Sequence, residues 1–203
     1  MAVDTRSAIR GVAAELFARL GYEKTSLREI ADRVGMTKAS LYYHYPSKQA
    51  LLLAIVEPLI EQWRSVVDRA VTLPHGDANV RLILGEVLDV LLRHRPIARM
   101  FIHDTAAVIQ AVGPLFEELV ELNMRLHDWL AGPAPTPSDR VRAVAATEAL
   151  SAALGWSPFL TVVTDDEMRG TLLDAATAVL QLRTPAPPLP RSGEADHEVT
   201  KTP

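Results

Sequence analysis

The chain contains no cysteine. That excludes disulfides, Cys-ligated zinc and a thiol nucleophile, and it suits a reducing cytoplasm. Long apolar runs are missing too. The longest, LLLAIV at Leu51 to Val56, falls far short of a bilayer span. The N-terminus is polar and soon amphipathic, without the pattern of a signal peptide. A cytoplasmic protein with no membrane partner is expected. No stretch alternates long enough to read as a strand, and no internal repeat is present. The signatures of catalysis are equally absent: no paired carboxylates at a defensible spacing, no Gly-rich phosphate loop, no nucleophile beside a base. The expectation is a protein that is not an enzyme and carries no cofactor and no metal.

What is there is 203 residues, 48% hydrophobic and 23% charged, ordinary values for a globular protein. Net charge is −4 but unevenly spread. Residues 1–50 hold eight Lys/Arg against five acids, and the remainder holds 13 against 20. A mildly basic head on an acidic body suits a chain whose head alone meets phosphates.

Helical periodicity dominates. Ile9, Val12, Ala13, Leu16, Phe17 and Leu20 make one apolar stripe from Asp4 to Leu20, and Gly21 ends it. Ser26 and Glu29 form the S-x-x-E box that opens a second helix with Leu27, Ile30, Ala31 and Val34 inward. Gly35 closes it, and Thr37 caps a third helix cut short by Pro46. Ser47 caps a long fourth helix to about Val71, with a kink expected near Ala54 to Pro58. Further helices are expected at Asn79 to Arg95, Pro96 to about Ala107, Gly113-Pro114 to about Leu130, Asp139 to about Leu154 and Glu167 to about Leu182. The fold class is thus all-α with about nine helices. A head at 3–63, with a helix-turn-helix at 26–45, precedes a helical body at 64–183 and a Pro-rich disordered tail at 184–203.

The third helix turns Leu41 inward. Thr37, Lys38, Ala39, Ser40, Tyr42, Tyr43 and His44 are left around its outer side. Lysine donates to guanine edges or phosphate, hydroxyls reach either, and an alanine methyl can touch a thymine methyl. A helix-turn-helix presents such a second helix to the major groove. Lys48, in the first turn of a helix, opposes the macrodipole, which makes sense if a phosphate docks there. Thr25 and Ser26 stand at another helix start and can do the same.

The run TRSAIRGVAAELFARLGYEKTSLREIADRVGMTKASLYYHYPSKQALL, residues 5–52, resembles the DNA-binding domain of the TetR family of transcriptional regulators. The resemblance rests on G-Y-x-x-T-S-x-x-x-I-A, on VGMTKASLYYHY and on the following S-K-x-x-L. For the body it is one of architecture only. It implies phosphate contacts at Thr25, Tyr42, His44 and Lys48, and base contacts at Thr37, Lys38, Ala39, Ser40 and Tyr43, with Tyr42 open to either role. It also implies a homodimer on a palindromic operator in double-stranded DNA. The last two helices would pair across the dimer through Ala146, Ala149, Ala153, Leu172, Leu173, Ala176, Val179 and Leu180. A small-molecule effector would lie in the body, lined by Trp63, Leu88, Leu92, Met100, His103, Asp104, Phe116, Met124, His127 and Trp156. His103-Asp104 and His127-Asp128 suggest metal, but neighbouring helical positions point apart and no tight ligand cluster appears. The expected function is a dimeric repressor released from DNA by an apolar or amphipathic ligand. An activator, a ligand-independent regulator and a helical small-molecule carrier remain as alternatives.

Overall fold

The computed structural model describes residues 4–97, 100, 105–151 and 163–181. Helix α1 (Thr5–Leu20) starts on the Asp4 carboxylate, which accepts from the Arg6 N–H. It buries Ile9, Ala13, Leu16 and Phe17, while Leu20 emerges at the surface. Gly21, at φ 91°, ends it. In α2 (Leu27–Val34) both halves of the capping box form. The Glu29 N–H donates to Ser26 Oγ at 3.2 Å, and the Ser26 N–H donates to the Glu29 carboxylate at 2.8 Å. The Ser26 N–H, and after it the Ser26 hydroxyl, hold the Glu29 carboxyl below the usual carboxylate range. Gly35 takes the left-handed conformation (φ 81°) that lets the chain double back into α3 (Lys38–His44).

Helix α4 (Lys48–Thr72) is helical throughout and buries ten side chains, from Leu51 to Ala70. Pro58 sits within it, and having no N–H it leaves the Ala54 carbonyl without an intrahelical partner. The expected boundary between residues 63 and 64 falls inside this helix. The body follows as α5 (Asp77–Arg93), α6 (Thr105–Val112), α7 (Pro114–Ala131), α8 (Pro137–Ser151) and α9 (Asp165–Val179). No strand occurs among the described residues, and the chain is all-α.

Several boundaries differ from expectation. Of the helix expected from Pro96 to about Ala107, residues 96, 97 and 100 are helical and 98, 99 and 101–104 lie outside the described residues, while α6 runs past Ala107 to Val112. Nothing in AAVIQAV breaks a helix. The stop is Gly113, at φ 48°, followed by Pro114. Helix α5 starts earlier than expected, at Asp77, and ends at Arg93. Helices α8 and α9 also begin before Asp139 and Glu167, for one shared reason. Thr136 with Asp139, and Thr164 with Glu167, are further T-x-x-acid boxes, so each acid stands in the first turn rather than at its start. The expected tail at 184–203 lies outside the described residues.

Helix α1 packs on α2 and α4, and α2 on α3. Helix α4 then packs on α5, α6 and α7, and α9 closes the body against α5 and α8. The buried side chains form one continuous cluster from Ile9 to Ala176. Ion pairs such as Arg125–Asp68 (2.8 Å) and Arg81–Asp174 (2.7 Å) line the seams. Being exposed, each contributes about 0–1 kcal/mol, so they mark register more than they stabilise.

Leu41 is the one buried residue of α3 and is fully enclosed. Leu41→Ala is therefore expected to cost roughly 2–5 kcal/mol in urea unfolding. An unchanged midpoint would mean that α3 is held by something other than this side chain.

Candidate nucleic-acid interface

With Leu41 as anchor, α3 shows solvent a compact polar and aromatic face. Tyr43 is 87% exposed and Tyr42 is 41% exposed. Thr37, Lys38, Ala39 and Ser40 are exposed, and His44 is half-buried. The face is partly pre-ordered. Lys38 Nζ lies 5.5 Å from the centre of the Tyr42 ring, one helical turn on. Tyr43 and His44 meet edge to face at 5.6 Å. Thr37 Oγ1 accepts from the Ser40 N–H at 3.1 Å, and the two hydroxyls share a bond of 2.9 Å.

Beside this face lies a cleft of about 470 Å³, walled by the starts of α2 and α4 and by α3. Its lining carries Lys24, Arg28, Lys38 and Lys48 against the single carboxylate of Glu23. Leu27 and Arg28 add first-turn amides, which have no intrahelical carbonyl to reach. Four cations and a helix start around one hollow make a local anion site on a chain whose net charge is −4. Lys24 and Arg28 were missed in the sequence. Arg28 carried a legible signal, because a cation in the first turn of α2 opposes the dipole as Lys48 does in α4. It pairs with Asp32 at 3.9 Å, and its side chain stays 80% exposed.

Two expected contact residues are differently placed from the rest. Thr25 is buried, and its hydroxyl donates to the Gly21 carbonyl at 2.8 Å, tying the α1–α2 link together. That hydroxyl is committed internally. Lys48 does not lie idle in its unfavourable dipole position. Its ammonium donates to the Tyr22 and Glu23 carbonyls at 2.9 and 3.2 Å and sits 4.4 Å from the Tyr22 ring centre. An ammonium has three donors. Two go to carbonyls, and the third remains for a phosphate in the cleft. Ser26 is exposed at the cleft wall.

In the body, Trp63, Leu88 and Met100 are buried, and Leu92, Phe116 and His127 are half-buried. Met124 stands 62% exposed on α7, so it does not line an interior. It belongs instead to a surface cleft of about 250 Å³ with His127, Asp128, Arg140 and Val144. His103, Asp104 and Trp156 lie outside the described residues. His127 Nε2 bonds Thr147 Oγ1 at 2.8 Å while Asp128 pairs with Arg140, so these two neighbours serve different partners. Burial holds the His127 imidazole below its ordinary value. Among the described residues no group of His, Cys, Asp and Glu could hold a metal ion, and no helix is long and apolar enough to cross a membrane.

Of the expected dimer residues, Ala146, Leu173 and Ala176 are buried within one chain. There they serve the core that α8 and α9 share. Ala149, Leu172, Val179 and Leu180 are half-buried, and Ala153 lies outside the described residues.

A capped three-helix head presenting an exposed second reading helix, carried on a helical body, defines a helix-turn-helix protein. Residues 9–55 match the family described as bacterial regulatory proteins, tetR family. The match covers 47 of the 203 residues and makes the head a domain of that family. Residues of the head align with RutR of Escherichia coli K12 at 34% identity over 58 residues, 29% of this chain and 27% of RutR. They also align with the transcriptional repressor KstR2 of Mycobacterium tuberculosis at 36% over 67 residues, 31% of this chain and 34% of KstR2. The match thus spans only about a third or less of these relatives' own length. The likeness of fold is wider. The solved KstR2 structure superposes with a TM-score of 0.73 over 88% of this chain and 95% of that one, at 14% identity. A structure of AibR in complex with isovaleryl coenzyme A and operator DNA gives 0.65 over 85% and 97%, at 21% identity.

Replacing Lys48 by alanine is expected to weaken binding to all duplexes alike and to shallow the salt dependence by about one unit of slope. Lys38→Ala is expected to alter base preference as well. Titrations of each variant at several salt concentrations check both, and an unchanged slope for Lys48→Ala would remove it from the phosphate set.

Proposed function

We propose that this chain is a DNA-binding transcriptional regulator, a homodimeric repressor that leaves its operator when a small molecule occupies the body. The observation that carries the reading is the pairing of an exposed, pre-ordered α3 face with a cationic cleft at its flank. Base edges meet the first and phosphates the second. In this assignment Thr37, Lys38, Ala39, Ser40 and Tyr43 face bases. Ser26, Tyr42, His44 and Lys48 hold backbone, joined by Lys24 and Arg28. Thr25 acts by tying the link through its hydroxyl rather than by touching DNA. The match of residues 9–55 to a family of bacterial regulatory proteins supports the class. The name of KstR2, a repressor, supports the sign of regulation, and the AibR complex, with ligand and operator DNA together, supports an effector.

For the dimer, the exposed valines of α8 offer the apolar surface that the buried alanines cannot. Val141 is 68% and Val144 is 43% exposed. Two copies related by a two-fold axis would bring their α3 helices about 34–36 Å apart, or a multiple of it, to enter successive major grooves.

For the switch, the first turn of α4 is fastened at two sides. Lys48 reaches the α1–α2 link, and the Gln49 side-chain amide donates to the Ala111 carbonyl in the last turn of α6 at 2.9 Å. A displacement of α6 by a ligand is thereby felt at the base of the reading head.

Selection of duplexes from random-sequence DNA by the purified chain, followed by gel shift, tests the reading. A two-fold symmetric sequence with half-sites one or two helical turns apart is expected. Failure to enrich any sequence at moderate salt would remove the regulator assignment.

A further inference from the structure

Two buried side-chain nitrogens lack any hydrogen-bond partner among the described residues: Trp63 Nε1 on α4 and His94 Nε2 at the end of α5. Helix register sets them about 3 Å apart along the helix axes. Helices α4 and α5 run antiparallel, with Arg69 of one paired to Glu86 of the other and Gln62 Oε1 accepting from Arg93 Nη1 at 2.5 Å. Trp63 and His94 are the very next residues, each turned about 100° from that rim contact toward the interior. Trp63 is 7% exposed. An indole N–H is a donor only, whereas a neutral imidazole can give or take at Nε2. Burial, with Arg93 nearby, holds the His94 imidazole below its ordinary value, so it is neutral at pH 7. Native interiors seldom leave such atoms unmet, because they forfeit hydration without return.

Charge narrows what meets them. Residues 49–200 contain no lysine. Among the described residues of the body, arginines 64, 69, 81, 95, 125, 140, 142 and 169 each face an acid, and Arg93 holds Gln62. Among the described residues an anionic headgroup would meet only arginines already engaged, at a heavy desolvation cost. A hydroxyl or carbonyl oxygen needs only the indole N–H and one imidazole nitrogen. The apolar remainder of such a molecule suits the apolar core to which Trp63, Leu59, Ile60, Leu88 and Met100 all belong.

Resting on the effector reading above, we infer that the body takes a neutral, largely apolar ligand whose single hydroxyl or carbonyl oxygen is held between Trp63 Nε1 and His94 Nε2. Trp63 is the donor that selects an oxygen over a plain hydrocarbon, and His94 distinguishes a neutral oxygen from a carboxylate.

The probes are 2-nonanol, 2-nonanone and nonanoate, titrated calorimetrically into the full chain. The neutral pair is expected to bind, with nonanoate at least tenfold weaker. Trp63→Phe, which keeps an aromatic ring and removes the N–H, is expected to lose about tenfold for the neutral pair. In the unaltered protein, 2-nonanone is expected to move the indole N–H resonance of Trp63 downfield, a readout independent of whether the variant folds. No binding of either neutral probe, tighter binding of nonanoate, or an unmoved Trp63 resonance would overturn the inference. The effector reading is scored separately, by displacement of the selected duplex. A compound that displaces it and binds Trp63→Phe as tightly as the unaltered chain would uphold an effector and overturn the Trp63 assignment.

Discussion

One helix has to satisfy two cores. Helix α4 begins as a wall of the DNA-facing cleft and ends deep in the body, and buried side chains run along nearly its whole length. Neither the head nor the body is complete without it. A head whose core ended at α3 would leave Leu51 and Leu52 uncovered, and a body without α4 would lose the surface on which α5, α6 and α7 pack. The orientation of α3 relative to the body is therefore a property of packing along this rod rather than of a linker.

The first turn of α4 concentrates that constraint. A lysine there is unfavourable by the helix dipole, yet the structure gives it two carbonyls and a tyrosine face. The next residue fastens the same turn to α6. Local electrostatics then decide what the head can meet. The overall charge is negative, but four cations line the one cleft, and most of the acids belong to the body. At physiological salt, charges farther away than about 8 Å are largely screened, so a phosphate in the cleft meets the cations and not the net charge.

Much of this was legible in the sequence, for reasons that particular residues make plain. The head could be read because each of its helices has its own stop and start: Gly21, the Ser26–Glu29 box, Gly35, Thr37 and Ser47 all act where their chemistry predicts. The body was harder. The boxes at Thr136–Asp139 and Thr164–Glu167 went unread, so α8 and α9 were started late, and a helix was ended at Ala107 where nothing stops one. Spacing shows which face of a helix is apolar but not what covers it. That is why Ala146, Leu173 and Ala176 read as a dimer face when they are spent inside one chain, and why Met124 read as interior when it stands in solvent. The cleft escaped for the same reason: Lys24, Arg28 and Lys38 come together only once α2 and α3 have turned on Gly35. The internal bonds of Thr25 and Lys48 join residues to carbonyls of a neighbouring link, which no periodicity announces.

The central claim is that α4 acts as one unit shared by head and body, despite the carbonyl that Pro58 leaves unpaired. Native-state hydrogen exchange along the helix tests it most directly, because it reports the opening free energy amide by amide. The account predicts that the amides of Leu52 to Val56 and those of Ile60 to Ala70 exchange through one common opening, with the same dependence on denaturant. A cheaper, separate opening of the segment before Pro58 would contradict it, and would make the head an independently moving part.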